Sequence, residues 1–288
     1  MSTAASSAEA EPPPDPALEI AWEGPTASSL GVGGALRVVI RIAAILVGTA
    51  GVASAIAVAW IPTVPFGQAG SRGRARIRRP LFRLWGKGMM WTLGVRVSTE
   101  GKPPPRGSMI VSNHLSYLDI ATLASVLPTI FVSKAEVERW PFWGTIARIG
   151  GTIFIDRRKK RDTVRVLSEI DRAFSRGDSV IVFPEATSTD GCTILPFKSS
   201  LLASAAMEGN PVEWLTVSYR TPDTGSSARN QVCWWGDAPF LPHFLGLCAV
   251  KRIDAQVTFG ETPARSGDRK ALAQRLHSSM LNHFTPVI

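Results

Sequence analysis

The chain has 288 residues, enough to bury one sizeable core, with an ordinary apolar fraction of 45% but only 19% charged residues. Its net charge of +9 points to an anionic partner; no zinc-finger spacing, homeodomain-like helix or aromatic sheet motif accompanies it, which turns the reading from nucleic acid toward an anionic membrane surface or an acidic protein. The three cysteines, Cys192, Cys233 and Cys248, are odd in number and form no Cys-x-x-Cys, so they imply neither a disulfide framework nor a zinc site and fit a reducing compartment.

Residues 1–33 read as a disordered tail, because the run from Ser7 to Pro16 is too rich in proline and too poor in apolar residues to pack. Residues 34–68 read as a membrane anchor. From Ile42 to Trp60 there is no charge, the length suits a span, and Trp60 stands where an interfacial aromatic belongs. The charge-free stretch continues past Pro62 and Pro65 to Ser71, which leaves a bent re-entrant or hairpin anchor as an alternative. Arg72, Arg74, Arg76, Arg78 and Arg79 follow at once and outweigh Arg37 and Arg41 on the other flank. By the positive-inside rule, the rest of the chain then lies on the cytoplasmic side, with these arginines available to anionic headgroups.

Residues 69–288 read as the soluble domain. A helix rich in large apolar residues is expected over Pro80–Leu93. Strands are expected at Val95–Ser98, Met109–Val111, Ile130–Ser133, Thr152–Ile155, Val180–Phe183, Trp214–Ser218 and Gln256–Phe259. Helices are expected at Ser116–Leu127, Val137–Ile149, Asp162–Ser175, Ser199–Met207 and Asp268–His283. This alternation predicts an α/β fold: a central, mostly parallel or mixed sheet covered by helices, with an N-terminal membrane-anchoring helix and a site in the loops at one sheet edge.

Four stretches pair an apolar strand with polar groups at one end. The first, Asn113-His114 through Asp119, sits at a strand-to-helix turn. There Asp119 can accept a hydrogen bond from one ring nitrogen of His114 and leave the other free as a base. Taken alone, a histidine and an aspartate at this spacing are more often a core or capping pair. The second is Gly151 to Arg158, ending in Asp156-Arg157-Arg158; the third is Val182-Phe183-Pro184-Glu185-Ala186-Thr187-Ser188; the fourth runs from Asn210-Pro211-Val212 into Trp214–Tyr219.

In this order the four blocks resemble the glycerolipid acyltransferase family, which contains the lysophosphatidate acyltransferases, over about residues 80–262. The resemblance implies that His114 and Asp119 are the catalytic pair, that Arg157 contacts the acceptor headgroup, and that Glu185, Thr187 and Ser188 belong to the acceptor-binding block. That block usually reads Phe-Pro-Glu-Gly-Thr-Arg. Here Ala186 replaces the glycine, which puts a positive-φ turn in question, and Ser188 replaces an arginine associated with an acceptor phosphate. The residues that follow, Ser188-Thr189-Asp190-Gly191 and Leu195–Ser199, are more similar to the lyso-ornithine lipid acyltransferase branch, as are Trp235-Gly236-Asp237 and Pro242-His243.

The expected reaction is transfer of a fatty acyl group from an acyl thioester to the free hydroxyl of a lyso-lipid. Lyso-ornithine lipid is the leading acceptor and lysophosphatidate the alternative. Acyl carrier protein or coenzyme A serves as the acyl carrier of the co-substrate, and no metal or resident cofactor is expected. The expected place is a bacterial-type inner membrane, catalytic domain on the cytoplasmic side. Lys159, Lys160 and Arg161 form a solvated basic face on which acidic acyl carrier protein can dock. Three other readings lack support. A serine hydrolase needs a Gly-x-Ser-x-Gly elbow, and a metal hydrolase needs further ligands at short spacing. A non-catalytic membrane protein does not need His, Asp, Glu and Arg together at these positions. Cys192, near the third block, reads as a small buried thiol and not as a nucleophile.

Overall fold

A computed structural model describes residues 31–66, 70–140, 142–156, 159–222 and 227–287; most of the expected tail, and both Arg157 and Arg158, lie outside them. Met109–Ser112 (β2) and Ser179–Val182 (β5) are buried at every residue, the pattern of strands covered on both faces. With β1 (Val95–Glu100), β3 (Thr129–Lys134), β4 (Ile153–Ile155), β6 (Val212–Arg220) and β7 (Ile253–Phe259) they form a seven-stranded sheet in the order β1-β7-β6-β2-β5-β3-β4. Every neighbouring pair is parallel except β6 and β7, so the sheet is mixed, and each expected strand is present.

Successive residues of the central strands alternate between two cores. Ile110, Ile181 and Leu215 face α2 (Ser71–Leu93), α3 (Leu118–Val126) and α8 (Phe240–Ala249); Val111, Val180 and Val182 face α5 (Lys160–Ser175), α6 (Ala203–Met207) and α9 (Arg269–His283). From β2 the chain passes over α3 to β3 on one side, and after β5 it returns to β6 on the other side of β2. The loops leaving β2 and β5 therefore part at the carboxyl end of the sheet and open a crevice there. Several helical segments differ from expectation; Ser199–Met207, for one, begins as a 3-10 turn (Ser199–Leu202). Val137–Ile149 is broken into a 3-10 turn (Ala135–Arg139) and α4 (Trp143–Ile149), because Phe142 takes φ +66° between them. Helix α8 carries no readable periodicity, since Phe240–Ala249 is apolar on nearly every side.

Helix α1 (Val32–Trp60) is, among the described residues, the one helix long and apolar enough to cross a membrane. It is tied to the domain along its length. Arg37 Nη1 donates to the Ala249 carbonyl (2.7 Å), and Arg41 donates to those of Cys248 (3.1 Å) and Lys251 (3.2 Å), so both cap the carboxyl end of α8. Midway, Trp85 Nε1 donates to Thr49 Oγ1 (3.0 Å), and at the far end Trp60 Nε1 donates to the Arg74 carbonyl (3.3 Å). The other face leaves Val39, Ile40, Val47 and Val58 exposed.

The basic run is the first half of α2, which continues through Pro80. Arg78 Nη2 and Arg79 Nε donate to Asp178 Oδ1 at 2.6 and 2.8 Å, with Arg176 Nε 3.5 Å from Oδ2. Arg78 and Arg79 therefore do not face headgroups as expected; they fasten α2 to the start of β5, while Arg72 and Arg76 are exposed. Further along, Gly86 lets α2 press onto α3, since a Cβ there would stand 2.6 Å from the Ser125 nitrogen.

The loop after β5 contains a strained residue. Ala186 takes φ +68°, the conformation a glycine adopts freely, so the turn survives the loss of the glycine at a cost of roughly 1–2 kcal/mol. Hydrogen bonds from Ala186 N to the Phe183 carbonyl (3.2 Å) and from Lys198 N to the Pro184 carbonyl (2.9 Å) hold it there.

Relief of that strain is expected in Ala186→Gly, which should raise the calorimetric melting temperature by about 2–4 °C. Asp178→Asn should do the reverse. Burial opposes charge on both partners, drawing Arg78 down and pushing Asp178 up, but Arg78 and Arg79 prevail and hold the Asp178 carboxyl below its ordinary 3.8. The pairing thus contributes fully above that value and is lost as pH falls below it. Urea unfolding at neutral pH should show the variant destabilised by about 3–5 kcal/mol, because Arg78 stays buried without its counter-charge. The difference from the wild type should shrink in strong acid.

Candidate active site

The residues after β2 are held one by one. Asn113, 1% exposed, uses its side chain as a strand residue uses its backbone: Oδ1 accepts from Val217 N (2.7 Å) and Nδ2 donates to the Val217 carbonyl (3.0 Å). His114 N donates to Glu185 Oε1 (2.7 Å), and the His114 carbonyl accepts from Thr189 N (2.9 Å). The Leu115 carbonyl accepts from Trp234 N (2.8 Å). The turn is therefore fixed by β6, by the loop after β5 and by the loop after α7 (Ala228–Gln231).

Asp119 stands in the first turn of α3 and is fully buried. Its Oδ2 accepts from His114 Nδ1 (2.8 Å), Leu115 N (2.8 Å) and Ser116 N (3.0 Å), and its Oδ1 accepts from Tyr219 Oη (2.7 Å). Four donors on one buried carboxylate are the compensation an ionised group needs away from water. A carboxylate only accepts, so His114 Nδ1 carries the proton and Nε2 carries the lone pair. Nε2 has no hydrogen bond among the described residues, and 22% of the side chain is exposed to the crevice. The ring is steadied by stacking on Phe183, with centroids 4.2 Å apart. An imidazole so placed can take a proton from a hydroxyl while the carboxylate behind it stabilises the imidazolium.

The other expected site residues have different partners. Glu185 is 4% exposed, and its second oxygen accepts from Leu195 N (2.8 Å). Burial pushes its carboxyl up to about 8 against the pull of the two amide donors, with the Asp119 charge adding to the rise. Glu185 thus clasps the His114 backbone through one oxygen and the Leu195 backbone through the other. Thr187 is exposed with Oγ1 donating to the Ser188 carbonyl (3.3 Å), and Ser188 Oγ donates to the Trp234 carbonyl. Cys192 is exposed and not buried; partial burial and Asp190 raise its thiol above the ordinary value, which does not favour a thiolate nucleophile.

Sequence reasoning gave no role to Asn113, Thr189 or either tyrosine of the chain, Tyr117 and Tyr219. Their scarcity was the available signal, since Tyr219 closes a long buried strand where a phenol needs a partner. Tyr117 Oη lies 2.9 Å from His243 Nδ1, and His243 Nε2 lies 3.0 Å from the Cys233 carbonyl. The carbonyl fixes the proton on Nε2, so Tyr117 donates to Nδ1, and burial keeps His243 neutral by lowering its value to about 4. Around Tyr117, the rings of Trp234, Phe240 and Phe244 stand 5.2–6.3 Å away between centroids and form an aromatic wall next to the His114 turn.

Residues 94–220, spanning β1 to β6, match the model of the family described as Acyltransferase. Relatives include the lyso-ornithine lipid O-acyltransferase of Rhizobium meliloti, 35% identical across 64% of this chain and 67% of that protein. The protein of the same description from Rhodobacter capsulatus is 37% identical across 63% of this chain and 67% of its own length. The 1-acyl-sn-glycerol-3-phosphate acyltransferase of Neisseria gonorrhoeae is 30% identical across 68% and 77%, respectively. Among solved structures, the 1-acyl-sn-glycerophosphate acyltransferase of Thermotoga maritima superposes with a TM-score of 0.52, covering 84% of this chain and 97% of that one; at 19% identity the likeness is one of fold. Identity at this level over two thirds or more of these bacterial relatives establishes that the chain belongs to the acyltransferase family.

Proposed function

We propose that the chain is a lyso-lipid O-acyltransferase that moves a fatty acyl group from an acyl thioester to the free hydroxyl of lyso-ornithine lipid. The observation that carries this reading is the 2.8 Å contact of His114 Nδ1 with buried Asp119, which leaves Nε2 open to the crevice. Nε2 takes the hydroxyl proton as the acceptor oxygen attacks the thioester carbonyl. The tetrahedral intermediate then expels the thiolate, which recovers the proton from the imidazolium, so the ester forms as the carbon–sulfur bond breaks. No acyl-enzyme is required. The acyl carrier is acyl carrier protein or coenzyme A, the former an acidic match for a chain of net charge +9. The aromatic wall beside the His114 turn suits an acyl chain.

The acceptor reading follows from the third block. A phosphate monoester is best met by an arginine fork, whereas Ser188 offers a hydroxyl already engaged by the Trp234 carbonyl. Arg229 beside this loop is paired with Asp190 at 2.8 Å and lies 5.0 Å over the Trp235 ring. That environment favours a headgroup without a terminal phosphate, and the Rhizobium and Rhodobacter relatives, both lyso-ornithine lipid O-acyltransferases, support the same reading.

Lipid substrates require a membrane surface. The ties of α1 to α8 and α2 at both ends support an anchor that lies along one leaflet, with Val39, Ile40, Val47 and Val58 facing the lipid and Arg72 and Arg76 within reach of anionic headgroups. The place is the inner membrane of a bacterium, on its reducing, cytoplasmic side.

Membranes carrying the His114→Ala variant should retain the protein but lose acyl transfer by roughly a hundred- to ten-thousand-fold, the range for a lost general base; unimpaired turnover would remove His114 from the chemistry. Offered lyso-ornithine lipid and lysophosphatidate in equal amounts, the unmodified protein should acylate the former faster. A clear preference for lysophosphatidate would overturn the acceptor assignment and leave the reaction class standing.

A further inference from the structure

Asp119 and His114 are the obvious pair, but the aspartate has a second side-chain partner that the motif does not announce. Tyr219 lies near the end of β6, fully buried, with Oη 2.7 Å from Asp119 Oδ1 and 3.2 Å from Thr122 Oγ1. The protons settle the directions. Asp119 Oδ1 can only accept, so the single phenol proton of Tyr219 goes to it. The Thr122 hydroxyl then has one proton for two neighbours, Tyr219 Oη at 3.2 Å and Met90 Sδ at 3.4 Å, and oxygen is the stronger acceptor. The chain Thr122 to Tyr219 to Asp119 to His114 thus runs one way, each donor strengthened by the one behind it.

We propose that Tyr219, oriented by Thr122, is a positioning residue that sets how strongly Asp119 holds a proton on His114, and so fixes the pH at which the base becomes available. Resting on the reading of His114 as base, the proposal adds a third member to the pair. Among the described residues Tyr219 Oη is the sole side-chain donor on Oδ1, while the other three donors all converge on Oδ2. With Tyr219 in place, the negative charge is drawn toward Oδ1, away from the imidazole. Without it, charge gathers on Oδ2 against Nδ1, and the imidazolium is favoured. Burial, and after it the Asp119 charge, raise the phenol well above its ordinary range, so it remains a donor at every working pH. Two other titratable groups feel the Asp119 charge, Cys233 from the loop after α7 and Glu185 from the loop after β5. Neither hydrogen-bonds Tyr219, so their contributions are common to wild type and variant.

The test is the pH dependence of kcat/KM for acyl transfer by the full chain in membranes, which reports the free enzyme's essential base. Tyr219→Phe should move the acidic limb to higher pH by about half to one unit. Thr122→Val, which keeps the phenol but removes the donor behind it, should move the limb in the same direction by less. A role confined to packing lowers the rate at all pH values and leaves the limb where it was. An unmoved limb in both variants, or a shift to lower pH, overturns the proposal. If Tyr219→Phe does not fold, Thr122→Val alone decides. His114→Ala is run beside them: full activity there sinks the reading of His114 as base, whereas an inactive His114→Ala with unmoved limbs sinks only the role of Tyr219.

Discussion

An ionised carboxylate with no exposure to water is the costliest group in this site, and the surrounding structure is arranged to supply its donors. Asp119 draws them from its own turn, from His114 and from β6. Each source depends on a different level of the fold. The two amides need α3 to begin where it does; the phenol needs β6 to lie beside β2; the imidazole needs the strand to end at Ser112. Remove any one level and a charge buried without full compensation remains, at a cost of several kcal/mol. The carboxylate therefore binds local and long-range structure into one cooperative arrangement, and the orientation of the His114 imidazole is a consequence of it.

The same economy extends to the backbone around His114. Its N–H and carbonyl are held by Glu185 and Thr189, both from the loop after β5, so the two motif loops are one unit. The Glu185 carboxylate, read from the resemblance as an acceptor contact, is 4% exposed and spends both oxygens on amides at His114 and Leu195. In the proposed reaction no acyl-enzyme holds the acyl group while the acceptor arrives, so the base must already stand where the proton leaves. A rigid clasp on the histidine backbone is how this chain meets that demand. The left-handed turn at Ala186 is tolerated because the clasp needs it, even with a side chain that resists it.

What was legible in the sequence were features whose partners lie close along the chain or whose environment is uniform. The strands β2 and β5 were visible as short apolar runs, and the His114–Asp119 pair because five residues across one turn suffice to bring them together. Tyr219 was not visible as a partner, since its distance from Asp119 along the chain is 100 residues and only sheet order closes it. Arginines were misleading for a related reason. A charge beside an apolar segment is ordinarily solvated, yet Arg37 and Arg41 cap α8 and Arg78 and Arg79 reach Asp178. Composition carries no trace of a buried ion pair whose halves are a hundred positions apart.

Those arginines bear on how a lipid enzyme meets its substrate. An apolar helix joined to its domain by a flexible linker would leave the crevice free to tumble relative to the bilayer. Here Arg37 and Arg41 at one end of α1, Thr49 in the middle and Trp60 at the other end are all bonded to the domain. The apolar outer face of α1 and the crevice at the carboxyl end of the sheet are consequently parts of one rigid body. Helix α8, whose carbonyls receive the arginines, also contributes Phe240, His243 and Phe244 to the wall around Tyr117. The anchoring surface and the turn that carries His114 are thus separated by a single helix. With α1 seated in lipid as proposed, its depth would set the height of His114 above the bilayer, through packing and capped carbonyls alone.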